Sequence, residues 1–506
     1  MSNGSALSSG RQADHAWLAN GTALSLDALA TRPLHELLDA AIRAREQQKR
    51  LIALFPFCDG SGDRLLMVAA DAASARLSAT SFDLAGAPGW PSITPVWPEA
   101  HLFEREIHER WGLVPEGHPW LKAVRGHREL EATPVSPAHP FLRAEGEGIH
   151  EVAVGPIHAG IIEPGHFRFQ CFGEEVLHLE IQLGYQQRGA EQILEQAAPA
   201  RRLVVAESIA GDTAVGHALA YCMTLEGLSG TRAPLRAHAI RGIALELERM
   251  ANHVGDLGAL CNDVGYLPGA AYFGRLRGDF LNLLTEISGN RYGRSLVVPG
   301  GVRFDVTPAL QARILETIEA DERDLRDTFK LAINTPSVLS RFEGTGSISR
   351  QTAVELGFVG PTARACGISR DVRTDHPSGV FQFTHVPVAV AEDGDVMARA
   401  NVRWLEITRS LRFVREQVSR LPEGAVRVPM SPLAPCSMTT SLVEGWRGQI
   451  AHVVLTDDSG RVARHKVIDP SFHNWLALAL AVRGAQISDF PLCNKSFNLS
   501  YAGHDL

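Results

Sequence analysis

Residues 208–217 read SIAGDTAVGH, a turn of small residues that runs straight into an apolar helical pattern. Asp212 can cap that helix, whose apolar positions Ala214, Val215, Ala218, Leu219, Cys222 and Leu225 recur at spacings of three and four. A helix N-terminus reached through small residues offers unpaired N–H groups and the positive end of the helix dipole to a ligand. The same ten residues also read as a tight packing corner. A second set of chemically able residues, Glu246, Arg249, His253 and Asp256, lies along one side of the 238–260 segment. At that spacing they make a solvated face of ion pairs, the first expectation, or a polar line buried between helices and suited to proton movement. A third set is Arg188 with Asp371, Arg373, Asp375 and His376, where an arginine between carboxylates makes an ion-pair node.

The elements that must hold these groups follow from periodicity. Residues 25–125 alternate helical and strand patterns, with LIALFPF and RLLMVAADA as short apolar runs and EAHLFEREIHERWG as a helix between proline-rich flanks. Residues 126–145 are poor in apolar anchors and read as a linker. Beyond them, EVAVGPIHAG and HFRFQCFGEEVLHLEIQLGY alternate with period two around a turn at Gly173, the pattern of a strand pair. From residue 186 to about 335 the pattern is mainly helical, clearest at 238–260, where Ile240, Ile243, Ala244, Leu247, Met250, Ala251, Val254 and Leu257 form one stripe. The expected fold class is α+β: a small N-terminal α/β domain, then a mainly α-helical domain that begins with a β-strand pair. The expected boundaries are a disordered 1–20, an α/β domain over 21–125, the linker 126–145, and the large domain over 146–506.

Composition narrows the classes of function. The chain has 506 residues, 45% hydrophobic and 21% charged, as a globular protein does. A net charge of −8 without long single-sign runs argues against nucleic acid as the main partner. Its longest apolar candidate, WLALALAVRGAQI, is broken by Arg483 and falls short of the roughly 18 residues a membrane span needs. The N-terminus lacks an apolar core of signal-peptide length, so secretion is not expected. The seven cysteines contain no C-x-x-C pair and read as small buried residues in a reducing compartment.

Taken in order, several stretches resemble a known family. PSITPVWPEAHLFEREIHERWGLVPEGHPWL resembles the 30 kDa (C-type) subunit of respiratory complex I. VGPIHAGIIEPGHFRFQCFGEEVLHLEIQLGYQQRGAE resembles the start of the 49 kDa (D-type) subunit and of its relatives, the large subunits of membrane-bound nickel–iron hydrogenases of the formate hydrogenlyase and hydrogenase 4 type. ELERMANHVGDLGALCNDVGY, SGNRYGRS, VGPTARACGISRDVRTDHP, GDVMARANVRWLEI, VEGWRGQIAHVV and DPSFHNWLALALA follow in family order, so the resemblance covers roughly residues 85 to 506. It implies a fused C-and-D-type chain.

The resemblance also assigns residues. Family hydrogenases hold nickel and iron on four thiolates, two at the start of the helix after the small-residue turn and two near the C-terminus. Here Gly211 is kept, but Ala210 and Thr213 stand where the first two cysteines would, and Ser500 and Gly503 where the second two would. No nickel–iron centre and no hydrogen chemistry are therefore expected. In complex I the same cavity takes a quinone headgroup from a histidine and a tyrosine; those positions fall near Pro164 and Val205, leaving His166, His158 and Tyr501 as substitute ligands. Glu163 lies where hydrogenase-like relatives place a proton-passing glutamate, and with His166 it is the expected catalytic pair.

Two functions follow from the resemblance. The first is a peripheral-arm oxidoreductase subunit that holds no cofactor of its own, takes electrons from a partner's iron–sulfur cluster and passes them to a quinone-like acceptor. In that reading NAD enters only by family association, through other subunits. The alternative is a non-catalytic coupling or scaffold subunit with a filled cavity. Both imply a small iron–sulfur (20 kDa-like) partner, membrane-embedded partners and a place at the cytoplasmic face of the membrane.

Overall fold

The computed structural model describes residues 15–58, 62–126, 141–160 and 162–506. In the N-terminal unit the strands are β1 (Ala16–Leu18), β2 (Ala23–Ser25), β3 (Thr31–Pro33), β4 (Arg50–Cys58), β5 (Asp63–Asp71), β6 (Arg76–Asp83), β7 (Gly89–Pro91) and β8 (Val114–Glu116). Helices α1 (Leu37–Glu46) and α2 (His101–Trp111) accompany them. Strands β4, β5 and β6 form an antiparallel meander, and β1 and β3 share the outer edge of β6. The apolar runs of β4 and β5 are buried nearly end to end, as strands covered on both faces must be. Since β1 begins at Ala16, ordered structure starts inside the stretch expected to be disordered; residues 1–14 lie outside the described residues. So do residues 127–140, most of the expected linker.

The large unit opens with β9 (Ile149–Val154), β10 (His166–Phe172) and β11 (Glu175–Gln182), so the expected strand pair is a three-stranded sheet with β10 central. The β10–β11 turn carries Gly173 at φ +59°, a conformation that favours glycine. Helices α3 (Ala190–Gln196), α4 (Pro199–Ala206), α5 (Ala214–Ser229), α6 (Leu235–Asp263), α7 (Leu267–Ser288) and α8 (Pro308–Ile333) follow, with the short ladder β12 (Val297–Val298) and β13 (Gly301–Val302) before α8. Four short helices, α9 (Pro336–Phe342), α10 (Arg350–Glu355), α11 (Gly360–Arg364) and α12 (Val372–Asp375), lead to the long α13 (Val396–Ser419). The chain ends with β14 (Ser437–Gly445), β15 (Gly448–Thr456), β16 (Val462–Ile468), α14 (Pro470–Ala481), α15 (Phe490–Phe497) and α16 (Tyr501–Asp505). Helices α6, α7, α8 and α13 pack around one apolar core that includes Ile243, Leu247, Met250 and Val254 of the expected stripe.

The two units are not independent. Strand β2 leaves the small sheet and pairs antiparallel with β14, placing Leu24 opposite Met438, so the second sheet runs β16-β15-β14-β2. One core contains Leu51, Phe55 and Phe82 of the small sheet together with Met438, Leu442, Val453, Leu455 and Phe472 of the large unit. A buried ion pair bridges the same junction: Glu106 of α2, itself paired with Arg125, meets Lys466 Nζ of β16 at 2.7 Å. Among the described residues no helix is long and apolar enough to cross a membrane.

Candidate functional site

The small-residue turn at 207–213 is held by side chains from elsewhere. Arg188 donates to the carbonyls of Ser208 (2.6 Å) and Ile209 (3.0 Å), and to that of Ala502 on α16 (3.3 Å), so it ties the turn to the C-terminus. It does not join Asp371 and Arg373, contrary to the grouping expected from sequence. Asp212 does not cap α5 either. The N–H groups of Val215 and Gly216 donate to Glu248 of α6, at 2.7 and 3.1 Å, so the exposed helix N-terminus expected to face a ligand is closed by a neighbouring helix.

All four positions assigned to metal ligands are buried. The Arg447 guanidinium grips Asp212 with both terminal nitrogens, at 2.5 and 2.8 Å, and donates to Thr213 Oγ1 at 3.1 Å. It lies 3.9 Å above the Trp446 ring, and its Nε donates to the Asn498 carbonyl at 2.6 Å. Ser500 Oγ accepts from the N–H of Gly503 at 2.9 Å and caps α16. A Cβ built on Gly503 would sit 2.6 Å from the Asp469 carboxyl carbon, so a carboxylate already fills the space beside it. Open space lies on the outer side of Gly211, where a built Cβ meets nothing within 4 Å.

Asp469 ends a row of three buried imidazoles. His217 Nε2 lies 2.9 Å from Asp469 Oδ2, His217 Nδ1 lies 3.2 Å from His452 Nε2, and His452 Nδ1 lies 3.0 Å from His465 Nε2. A proton on the Nε2 of each ring lets every contact run in one direction toward Asp469. Burial alone would raise the Asp469 carboxyl, but its hydrogen bond to His217 and the nearby Arg447 charge hold it below the usual range. Burial pushes His465 down to about 3, which keeps the far ring neutral.

The polar side of α6 corrects the first expectation. Glu246, Arg249, His253 and Asp256 are all buried, not solvated. Each is paired from a distant element: Glu246 with Arg373 (3.1 Å) and Ser410 (2.6 Å), His253 with Glu406 (2.8 Å), and Asp256 with Arg403 (2.7 Å) and Asn498 (2.6 Å). Arg249 bonds Glu246 at 3.0 Å and the carbonyls of Glu444 and Gly445. Arg364 closes the set on Glu406 (2.6 Å) and Glu444 (2.7 Å). Arg373 does lie between two carboxylates, which are Asp371 and Glu246. Asn498 joins the Asp256 pair to the turn, because its carbonyl takes Arg447 and its amide donates to Asp256.

The expected catalytic and quinone ligands divide. Glu163 is half-buried at the edge of the Arg447–Asp212 set and accepts from the Tyr501 N–H at 3.4 Å. Burial raises its carboxyl, with Asp212 reinforcing the rise and Arg447 opposing it. His158 and His166 each turn onto their own loop, toward the carbonyls of Gly165 (2.8 Å) and Gly155 (3.3 Å). The Tyr501 ring is packed on Trp475, with centroids 4.7 Å apart, and burial pushes its phenol up to about 12. Sequence reasoning misses Arg447, Asp469 and the histidine row. Arg447 and Asp469 lie inside the family-like stretches VEGWRGQIAHVV and DPSFHNW, where a charge between apolar neighbours was the available signal.

The donor set does not fit a soft four-thiolate metal centre, since alanine and glycine offer no side-chain donor and serine and threonine only hydroxyls. Among the described residues, no three His, Cys, Asp or Glu side chains converge as a metal site. Nor do Pro164 and Val205 offer the imidazole and phenol with which the resemblance to complex I would hold a quinone headgroup.

Comparison with known proteins gives a consistent set of relatives. The family described as respiratory-chain NADH dehydrogenase, 49 Kd subunit, matches residues 263–437 and 431–505, and the corresponding 30 Kd subunit family matches 64–144. The carbon monoxide-induced hydrogenase of Rhodospirillum rubrum is 30% identical over 350 residues, 69% of this chain and 97% of the relative. An NADH-quinone oxidoreductase component of Sinorhizobium medicae is 30% identical over 381 residues, 69% of this chain and 94% of the relative. Formate hydrogenlyase subunit 5 of Escherichia coli is 28% identical over 443 residues, 83% of this chain and 78% of the relative.

Proposed function

Because this chain belongs to the family of the respiratory-chain NADH dehydrogenase 49 kDa subunit, with a 30 kDa-subunit unit fused ahead of it, we propose that it is a peripheral coupling subunit of a membrane-bound oxidoreductase complex. It docks a small iron–sulfur subunit and membrane-embedded subunits at the cytoplasmic face, and it performs no nickel–iron chemistry. The observation that carries this reading is the closure of the metal-ligand positions: Arg447 clamps Asp212 and Thr213, Ser500 caps α16, and Asp469 abuts Gly503. Two buried sets of paired charges then lie along α6, one joining the turn to Asp256 through Asn498 and one running from His253 through Glu406, Arg249 and Glu246 to Arg373, an arrangement able to pass on a change of charge or position. Glu163, with its raised carboxyl at the edge, is the group suited to exchange a proton with a partner.

The open side of Gly211 favours one second reading, in which a quinone-like acceptor rests at the mouth of the site against Glu163. Binding of a short-chain quinone analogue by the assembled complex separates the two. The coupling reading predicts no saturable binding that depends on this chain. Saturable binding lost in a Gly211→Trp variant that still assembles would overturn it in favour of the acceptor site. Gly503→Trp is a poorer plug, since Asp469 already stands in its way.

A further inference from the structure

A separate cavity of about 40 Å³ lies at the junction of the two units, and its walls hold several buried nitrogens without a partner. Arg50 and Gln48 come from the small unit; Arg370, His376 and Gln449 come from the large one. Arg50 donates to Gln449 Oε1 at 2.8 Å, which fixes the amide so that Gln449 Nε2 points away from Arg50, and that nitrogen is buried without a partner. Arg50 Nε, one Arg370 terminal nitrogen and His376 Nδ1 are buried and unpartnered as well. Arg50 is 9%, Gln449 5% and His376 4% exposed, so water outside the protein does not serve these atoms.

The charge balance points the same way. Neither Arg50 nor Arg370 has a carboxylate within ion-pair distance among the described residues. Asp371, Asp375 and Glu444 also line the cavity, but each is engaged, as is the nearby Glu99: Asp371 with Arg373, Glu444 with Arg364, Asp375 with the Asp371 N–H (3.1 Å) and Glu99 with the Leu51 N–H (2.8 Å). Burial raises the carboxyls of Asp375 and Glu99 above their ordinary range. Burial and the neighbouring Arg50 bring Arg370 down to about 10, although Glu99 and Asp375 pull the other way: two cations share this corner, and neither is ion-paired among the described residues.

We propose that this cavity is a binding site for a small oxyanion, held between Arg50, Arg370 and the Gln449 amide and bridging the two units. A volume of this size takes about three water-sized groups, which suits a free inorganic oxyanion and excludes a nucleotide or a lipid. Two arginine forks and an amide are the donors that such oxygens take.

The test is calorimetric titration of the purified full chain with inorganic phosphate and with bicarbonate, against chloride at matched ionic strength. Saturable binding of at least one oxyanion is expected, weakened about tenfold or more in Arg370→Gln and unchanged in the exposed control Arg326→Gln. Arg370 is partly exposed, so its loss is tolerated; Arg50→Gln, whose fold is checked by its melting profile, gives the second reading of the same site. No saturable binding of either anion, or binding that Arg370→Gln and Arg50→Gln leave intact, would overturn the proposal. Neither result bears on the coupling role, which rests on the distant turn at 207–213.

Discussion

At the scale of single residues, the account turns on Gly503. The carboxyl of Asp469 occupies the place where a side chain at 503 would begin, so any substitution there must displace a buried, hydrogen-bonded carboxylate. Gly503→Ala is expected to cost about 1–3 kcal/mol, read as a lower urea midpoint with an unchanged slope. Titration gives a second test far from the site. Asp321, between Asp279 and Asp324, is pushed up to about 7 from an ordinary 3.8 by burial and then by its acidic neighbours. Between those two values the folded chain keeps a proton that the unfolded chain has released, so stability must fall as pH rises through that window. Asp321→Asn is expected to flatten this fall and to raise the melting temperature at pH 8; an unchanged pH profile would contradict it.

At the scale of elements, helix α6 shows what periodicity records and what it misses. Its apolar stripe was legible, because a spacing of three and four defines the buried face wherever the partners come from. The fate of its polar side was not, because the pairing groups lie 127 to 164 residues away, at Arg373, Glu406 and Ser410. Arg447, Asp469, His452 and His465 were hidden for the same reason: Arg447 sits in the β14–β15 turn, His452 and His465 in strands and Asp469 at a helix start, and none has a local partner that marks it. The strand pair at 149–182 was legible from alternation and turn chemistry, with its third strand left unassigned. Glu246→Gln is expected to cost about 1–3 kcal/mol, since Arg249 and Arg373 each lose one buried carboxylate while keeping Glu406 and Asp371. Urea unfolding measures that loss, whereas a change under about 0.5 kcal/mol would mean the face is solvated after all.

At the scale of the whole molecule, the boundary expected near residue 125 divides the sequence more cleanly than it divides the structure. Strand β2 completes the large unit's sheet, and both units line one core. Composition could mark the polar stretch between the units, but no local pattern reveals that a three-residue strand pairs with a partner more than four hundred residues away. Deleting residues 1–30 is therefore expected to destabilise the large unit, seen as loss of the cooperative melt of the full chain and not as a clean removal of one domain. On the proposed reading, hydrogen bonds around Arg447, Ser500 and Asp469 close the positions where a metal centre would be held. Nickel and iron analysis of the chain within its complex, purified from cells supplied with nickel, tests that claim most directly. The account predicts no nickel above background in this chain, and one nickel per chain would contradict it.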